Sequence, residues 1–495
     1  MDTRQTSMDH KDLSGSGAGM SASTTVSGDT DETCGDVLDD PLKVLTNRQL
    51  RRFKRYPAYK DSGIGWLRDV PANWNIRRVK CIFHIVNGAT PASGESIFWD
   101  GDIPWVTPED LGDLSTATIL EARRRITKEG YRSCGTTIVP QGSLVLSTRA
   151  PIGHLAIAGM ELCTNQGCKS LIFLRESPKQ YFFYQLLAAK LELQSWGQGS
   201  TFQELGTNKL ANVPMIEPSE SEQRSIAAFL DREIAKIDAL VAKKERLMDV
   251  LQEKRISLVT RTVTNGLDPN ILMKDSGVEW LGKIPAHWAV KPLKFVSSLQ
   301  TGLTLGKNYD GLSVVVRPYL RVANVQDGYL ALEDVSEVTL PANDAHRYEL
   351  RVGDVLMTEG GDFDKLGRGH IWSGQIAQCV HQNHIFAVRP SHKALNPRYL
   401  SLVMGSGYGR AYFTATSTQS TNLASTNSTK LRNLPMPLPD IAEQDRIVAE
   451  MGRQISRIDG LITKVRTAIA HAMELRTALI NAAVTGKIDV REEAA

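Results

Sequence analysis

Three short segments carry residue types that perform catalysis or bind metals in other proteins. Asn396-Pro397-Arg398-Tyr399 differs by one residue from the Asn-Pro-Pro-Tyr/Phe motif of enzymes that methylate amino groups, and it lacks the second proline. Gly302–Lys307 resembles a phosphate-binding loop, but it is one residue short and no Ser or Thr follows the lysine. Cys379-x-His381-x-x-His384 contains three possible metal ligands without a partner cluster nearby, and a strand with satisfied polar groups explains it. We therefore predict no catalytic and no metal site in this chain.

Two kinds of loop have side chains suited to contacts with nucleic acid. Glycines near Arg149 and Arg368 allow tight turns and a close approach of the backbone to a phosphate or a base. Amide side chains pair with adenine edges, and lysine or arginine with guanine. For any single residue, an ordinary turn or a satisfied strand end stays an open alternative. The candidate DNA-binding residues are Arg149, Gln166, Lys169, Arg368, Gln382 and Asn383.

The chain contains two copies of one pattern. Asp61–Trp74 returns as Asp275–Trp288, 214 residues later, and Glu222-Gln223 returns as Glu443-Gln444, 221 residues later. A solenoid repeat is much shorter, about 20 to 50 residues. The period therefore indicates a whole domain that is duplicated together with its connector. A molecule with approximate two-fold symmetry suits a target with two halves, such as DNA. We interpret the repeated tryptophans as structural residues at the edge of a core.

Each copy is predicted to be a compact α+β domain. Short apolar or β-branched segments bounded by Gly and Pro are typical of strands. A helix follows in each copy, because Ser177-Pro178 and Asn396-Pro397 place a capping side chain before a proline at the first helical position. The predicted strands are 103–106, 143–146, 155–158 and 170–174 in the first copy, and 318–322, 354–357, 369–372 and 384–388 in the second.

Each copy ends in a segment that predicts a long helix. Apolar residues recur every three or four positions from Ser219 and again from Asp440, over about 45 residues without proline, or roughly 65 Å of helix. Ser219 and Asp440 are each followed three residues later by Glu, which is a helix start signal. Two such helices in one chain most simply pair with each other as a coiled coil. The predicted partner-facing residues are Ile226, Leu230, Ile237, Val241, Leu251, Ile447, Ile455, Ile458, Ile462 and Ile469.

Composition sets further bounds on the protein. Residues 1–46 carry nine acidic and three basic side chains, a net charge of −6. Because the whole chain has a net charge of +3, the remaining residues carry +9. A basic body is compatible with a nucleic-acid partner. The tail is rich in Ser, Thr and Gly, and we predict that it is disordered because it has too few bulky apolar residues to offset its ordering entropy. The six cysteines form no CxxC motif, which favours reduced thiols in a cytoplasm, and no apolar run is long enough to span a bilayer.

These patterns predict an α+β protein with two duplicated globular domains, separated and joined by two long antiparallel coiled-coil helices. The predicted segments are a disordered acidic tail at 1–46, a first domain at 47–217, a first helix at 218–268, a second domain at 269–438 and a second helix at 439–489.

The sequence resembles a known family, the specificity subunits of type I restriction–modification enzymes. The resemblance covers roughly residues 56–490, and the acidic tail departs from it. The order of domain, helix, domain, helix is highly specific for this family. The motifs that carry it are the two lead-ins ending at Trp74 and Trp288, Ala150–Gly153 with Thr164–Gly167, Gly360–Gly367 with Gln382–His384, and the Glu-Gln-x-x-Ile openings of both helices.

The resemblance implies a function. Each domain would be a target-recognition domain that reads one half of an asymmetric, interrupted DNA sequence. The antiparallel helices would set the distance between the halves and dock two methyltransferase subunits. Those subunits would bind S-adenosylmethionine and flip an adenine for methylation, and separate motor and nuclease subunits would use ATP and Mg²⁺. The chain itself would hold no cofactor and would lie in a bacterial or archaeal cytoplasm.

Two other functions stay open at the level of sequence. The chain can be a self-contained nuclease or methyltransferase, although it lacks the motifs of both. It can also be a coiled-coil scaffold without a DNA role, against which the paired Gln, Asn and Arg loops argue.

Overall fold

The computed structural model of this chain describes residues 50, 52–114, 116–198, 203–306, 308–361, 367, 369–419 and 424–493. The tail predicted at 1–46 lies outside these ranges, as do Arg368 and Lys307. Strands and helices alternate in two globular units, so the predicted α+β class is confirmed. No helix in the described part of the chain is long and apolar enough to cross a membrane.

The first globular unit precedes the first long helix. Its strands are β1 (Tyr59–Asp61), β2 (Asp69–Pro71), β3 (Asn75–Arg78), β4 (Phe83–Asn87), β5 (Trp99–Val106), β6 (Thr118–Ile119), β7 (Arg124–Ile126), β8 (Leu144–Ser147), β9 (Leu155–Ala158), β10 (Cys163–Thr164), β11 (Cys168–Phe173) and β12 (Pro214–Glu217). Its helices are α1 (Val79–Ile82), α2 (Pro108–Gly112), α3 (Lys128–Ser133), α4 (Lys179–Ala188), α5 (Lys190–Ser195) and α6 (Thr207–Ala211).

The second globular unit lies between the long helices α7 (Glu220–Asn265) and α12 (Ile441–Val484). Its strands are β13 (Met273–Asp275), β14 (Lys283–Pro285), β15 (Ala289–Pro292), β16 (Ser297–Thr301), β17 (Val314–Leu320), β18 (Ser336–Pro341), β19 (Val355–Thr358), β20 (Gly360–Gly361), β21 (Gly369–Ile371), β22 (Val380–His381), β23 (Ile385–Pro390), β24 (Thr418–Gln419), β25 (Ala424–Ser425) and β26 (Pro435–Leu438). Its helices are α8 (Ala342–Tyr348), α9 (Pro397–Gly405), α10 (Gly407–Thr416) and α11 (Ser428–Arg432).

The central sheets of the two units have the same strand arrangement. In the first unit β4, β11 and β8 pair antiparallel in that order, and β16, β23 and β19 do the same in the second. A second sheet is also matched: β5 pairs antiparallel with β7 and parallel with β10, as β17 does with β18 and β22. Corresponding residues of the two units can therefore be assigned from strand register.

The helices α7 and α12 lie side by side and run antiparallel. Arg476 Nε lies 3.0 Å from Asp238 Oδ1, and Arg255 Nε lies 3.3 Å from Asp459 Oδ1. The two ion pairs therefore join the early part of each helix to the late part of the other. They are also symmetry-related, because each residue of α7 corresponds to the residue 221 positions later in α12. The buried and half-buried positions include 234, 237, 241, 244, 248, 251, 255 and 258 in α7, and 451, 455, 458, 462, 465, 469, 472, 476 and 479 in α12.

The residues predicted to face a helical partner divide into two groups. Ile226 and Leu230 belong to the core of the first unit, and Ile447 belongs to the core of the second. The others continue the same three- and four-residue spacing along the helices, where Ile237 packs against the first core and Ile455 against the second. Ile458 and Ile462 are buried there, whereas Ile237, Val241, Leu251, Ile455 and Ile469 are half-buried.

Each repeated lead-in joins the start of one long helix to the end of the other. The buried indole of Trp74 donates to Glu222 Oε1 at 3.3 Å, and that of Trp288 donates to Glu443 Oε2 at 3.1 Å. Both glutamates lie in the first turn of a long helix, where Ser219 and Asp440 act as N-caps. Gly486, just past the end of α12, has a φ of +72°, and a Cβ atom there would lie 2.3 Å from Pro71. The separated motifs of the repeat are therefore neighbours in space.

Candidate nucleic-acid interface

The described candidate residues lie at one end of the central strands in each unit. Ser147 and Cys168 are register partners where β8 ends and β11 begins, as Thr358 and Ile385 are where β19 ends and β23 begins. The loops that enter β11 and β23 therefore have the same place in the two units. Gln166 and Asn383 each stand two residues before the strand. The structure thus brings an amide side chain to the same position in both units.

A glycine packs beneath each of these loops. A Cβ atom at Gly88 would lie 2.0 Å from the carbonyl oxygen of Asn165, and one at Gly302 would lie 2.2 Å from that of His381. No side chain fits at either position, so the end of β4 or β16 passes directly under the loop. The backbone N–H groups of the residues after these glycines donate to Thr164 at 2.9 Å and to His381 at 2.8 Å.

In the first unit, Gln166 is exposed at the tip of its loop and accepts a hydrogen bond from the Thr90 hydroxyl. Asn165 shapes the turn, because its Oδ1 accepts from the Gly167 N–H at 2.9 Å. Arg149 follows the buried strand β8, is half-exposed and forms a backbone bridge with Glu204. The part of the chain that the structure describes provides no ion-pair partner for the Arg149 guanidinium. Both residues can reach an external ligand.

Lys169 has a different position from the other candidates. Only 6% of its surface is exposed, and its Nζ donates to Asn87 Oδ1 at 3.0 Å. Burial lowers the pKa of this ammonium group, and the nearby Glu204 carboxylate acts in the opposite direction. The prediction that Lys169 itself contacts DNA does not fit this position. The exposed side chain is that of Asn87, which the sequence analysis did not select.

In the second unit, the loop before β23 carries two half-exposed amides. Gln382 Oε1 accepts from the Val322 N–H at 3.2 Å, which leaves its Nε2 donors for other partners. Asn383 Nδ2 lies 3.4 Å from a ring nitrogen of His384, and the other ring nitrogen of His384 lies 2.6 Å from Glu359. Arg368 falls outside the described residues, so its position stays a prediction.

The cysteine and histidines that were considered as metal ligands have other partners. His381 is buried, and its Nδ1 lies 3.0 Å from the carbonyl oxygen of Ile385. Burial lowers the pKa of His381 to about 4 and raises the pKa of the Cys379 thiol to about 12. Among the described residues, no group of three or more His, Cys, Asp or Glu side chains could hold a metal ion.

Comparison with known proteins agrees with this architecture. Residues 71–248 match the family described as "Type I restriction modification DNA specificity domain". The MjaIX specificity subunit of Methanocaldococcus jannaschii is 29% identical over 282 residues, which cover 56% of this chain and 63% of the relative. The EcoKI specificity subunit of Escherichia coli is 21% identical over 444 residues, which cover 85% and 90% of the two chains. The chain is therefore similar over most of its length to specificity subunits of type I restriction–modification enzymes.

One solved structure has a similar fold. A chain from work on the complex assembly and conformational transition of a type I system superposes with a TM-score of 0.59 at 18% identity. The match covers 84% of the present chain and 98% of the solved one. The chain matches less than two thirds of the length of two archaeal relatives, 63% of the MjaIX subunit and 43% of the MjaX subunit.

Proposed function

We propose that this chain is the sequence-specific DNA-binding subunit of a type I restriction–modification complex. In this proposal the two globular units are duplicated target-recognition domains, and each reads one half of an asymmetric, interrupted sequence. The single observation that carries the proposal is the matched placement of Gln166 and Asn383. In both units, the loop before the matched central strand carries an exposed or half-exposed amide at the same position.

The side chains around the two loops differ, which favours recognition of different base sequences by the two domains. The first loop lies near Arg149, whose guanidinium has no described partner, and next to the hydroxyl of Thr90. The second lies beside a histidine–glutamate pair formed by His384 and Glu359. Because base edges differ in their pattern of donors and acceptors, different side chains on one frame suit different half-sites.

We propose that the paired helices set the spacing between the two half-sites as an antiparallel coiled coil. Heptad positions continue along both helices, and two equivalent ion pairs fix their register. Both domains also include helix residues in their cores, such as Val263 in the second and Leu479 in the first. A change in helix length therefore moves one whole domain relative to the other.

The helices are also the proposed docking surface for two methyltransferase subunits. Apolar side chains remain exposed at equivalent positions of the two helices: Leu240 is 47% exposed and Leu461 is 49% exposed, 221 residues apart. A surface repeated by two-fold symmetry suits two copies of one partner. S-adenosylmethionine, ATP and Mg²⁺ would belong to the methyltransferase, motor and nuclease subunits, and this chain would be non-catalytic by itself.

Binding and activity measurements with and without the methyltransferase subunits test this proposal against its alternatives. We expect the full chain to select a bipartite sequence from random double-stranded DNA when the methyltransferase is present. The chain alone should transfer no methyl groups from S-adenosylmethionine and cut no DNA. Robust methylation or cleavage by the isolated chain would favour a self-contained enzyme. Absence of any selected sequence, with an intact complex, would favour a scaffold.

A further inference from the structure

A buried lysine holds one exposed amide at the candidate interface of the first domain. Lys169 Nζ donates to Asn87 Oδ1 at 3.0 Å, and the hydroxyl of Thr207 donates to the same oxygen at 2.9 Å. Asn87 is the last residue of β4 and is exposed. It directly precedes Gly88, which packs under the loop that carries Gln166. The Asn87 amide is thus next to the proposed DNA-reading loop.

The chemistry of these partners fixes which end of the amide is used. An ammonium group has three donors and no acceptor, so the atom that faces Lys169 must be the carbonyl oxygen of Asn87. The two N–H donors of Asn87 Nδ2 then remain, and the described residues offer them no acceptor. An asparagine that is free to turn can present either end to a ligand, but this one presents donors only.

The second domain shows that packing alone does not require a lysine here. Lys169 and Asn87 are register partners in the first domain, and Phe386 and Thr301 are register partners at the same place in the second. Phe386 is 2% exposed and is part of the second core. Burying an ammonium group costs free energy that burying a phenyl ring does not. The lysine therefore has a role other than filling the sheet.

We propose that Asn87 reads a hydrogen-bond acceptor on a base edge, and that Lys169 is the positioning residue that fixes the amide for this reading. The inference rests on the proposed DNA-binding function and adds a specificity-determining residue to it. The fitting acceptors are O6 or N7 of guanine, O4 of thymine and N7 of adenine. The bidentate pairing of asparagine with adenine is excluded, because it needs a carbonyl oxygen whose two acceptor positions Lys169 and Thr207 already occupy.

The experiment is a selection from random double-stranded DNA by the full chain with its methyltransferase subunits. The variants are Asn87→Ala and Lys169→Met, and the matched control is Lys179→Met. Lys179 is exposed next to Gly142, beyond the opposite end of β8. We expect both test variants to relax the preference at the same single base pair of one half-site. Discrimination there should fall roughly 5- to 150-fold, while the other half-site and the control stay unchanged.

Thermal unfolding separates positioning from a structural role. Lys169→Met removes the free-energy cost of burying an ammonium group, and Asn87 Oδ1 keeps the Thr207 hydroxyl as a donor, so the variant should unfold at the same temperature or higher. Loss of base preference in a variant of unchanged stability would support the proposal. Loss of preference only together with a lowered unfolding temperature would overturn the positioning role.

Three further outcomes are informative. Unchanged preference in both variants, while the unmodified complex still selects a bipartite sequence, would overturn this inference alone. Equal weakening by both variants on all sequences, with no base pair relaxed, would assign Asn87 to a phosphate and also overturn it. Failure of the unmodified complex to select any sequence would instead count against the proposed DNA-binding function.

Discussion

Lengthening the helix pair by one heptad should widen the gap between the two half-sites. The insertion must be made in both helices at the same level, because they run antiparallel. A copy of residues 241–247 placed after Leu240 and a copy of residues 467–473 placed after Met473 meet this condition. Arg476 then still faces Asp238 on one side of the insertions, and Arg255 still faces Asp459 on the other.

The size of the shift follows from helix geometry. Seven residues at a rise of 1.5 Å each lengthen the pair by about 10.5 Å. Base pairs are spaced by about 3.4 Å along DNA, so the preferred gap should increase by about three base pairs. A heptad also maintains the side of the helix that faces its partner, so both domains should retain their orientation on the pair. The bases recognised within each half-site should not change.

The assay is the same DNA selection, with the insertion made in both helices or in α7 alone. A single insertion would move Val259 and Val263 by about 10.5 Å relative to Ile447 and Met451, with which they form one core. We therefore expect the single insertion to lower the unfolding temperature and to abolish bipartite binding. The reasoning is refuted if the double insertion leaves the gap unchanged, or if it alters the bases read within a half-site.

Further predictions concern the candidate contacts, the lead-ins and pH. Each of the six predicted DNA-binding residues can be replaced by alanine. In each domain, at least one of these substitutions should relax the preference at a single base pair of one half-site and weaken the binding free energy by about 1–3 kcal/mol. If none of the six changes affinity or preference, the selected loops do not face DNA. Trp288→Phe removes the indole donor to Glu443 and should lower the free energy of unfolding in urea by about 1–3 kcal/mol, as should Trp74→Phe for Glu222. Unchanged urea midpoints would show that these hydrogen bonds contribute little. Because burial lowers the pKa of His381 to about 4, its contribution to stability is complete above pH 6.5 and is lost as pH falls toward 4. The free energy of unfolding should fall by roughly 3 kcal/mol between pH 6.5 and 4, and His381→Phe should abolish this fall. The same pH dependence of the free energy of unfolding in His381→Phe would contradict the assignment to His381.

Much of the architecture could be predicted because the long-period repeat and the helical pattern can both be recognised in the sequence alone. The 214-residue repeat and the capping signals at Ser219 and Asp440 are visible without a structure, and both long helices begin where those signals occur. The interaction between Trp74 and Glu222 could not be predicted, although both belong to the repeat. It depends on the folded path of the lead-in, which brings residues 148 positions apart into contact.

The candidate site was less accessible to sequence reasoning. Lys169 was selected as a basic residue near an amide-rich loop, but strand alternation directs it inward, where it meets Asn87 from another strand. Asn87-Gly88 resembles an ordinary turn when it is considered alone. Its alignment with Thr301-Gly302 through the repeat is the signal that could have found it. Residue type identified the region, whereas strand register determined which side chain is exposed.

The most direct test of the proposed function is the DNA motif selected by the full chain together with the proposed methyltransferase subunits. Bound fragments from a random double-stranded library would be sequenced and aligned. We expect two short, different half-sites separated by a non-specific gap of fixed length, and we expect Gln166→Ala and Asn383→Ala to affect opposite halves. One uninterrupted motif, or two substitutions that alter the same half, would contradict the assignment of one half-site to each globular unit.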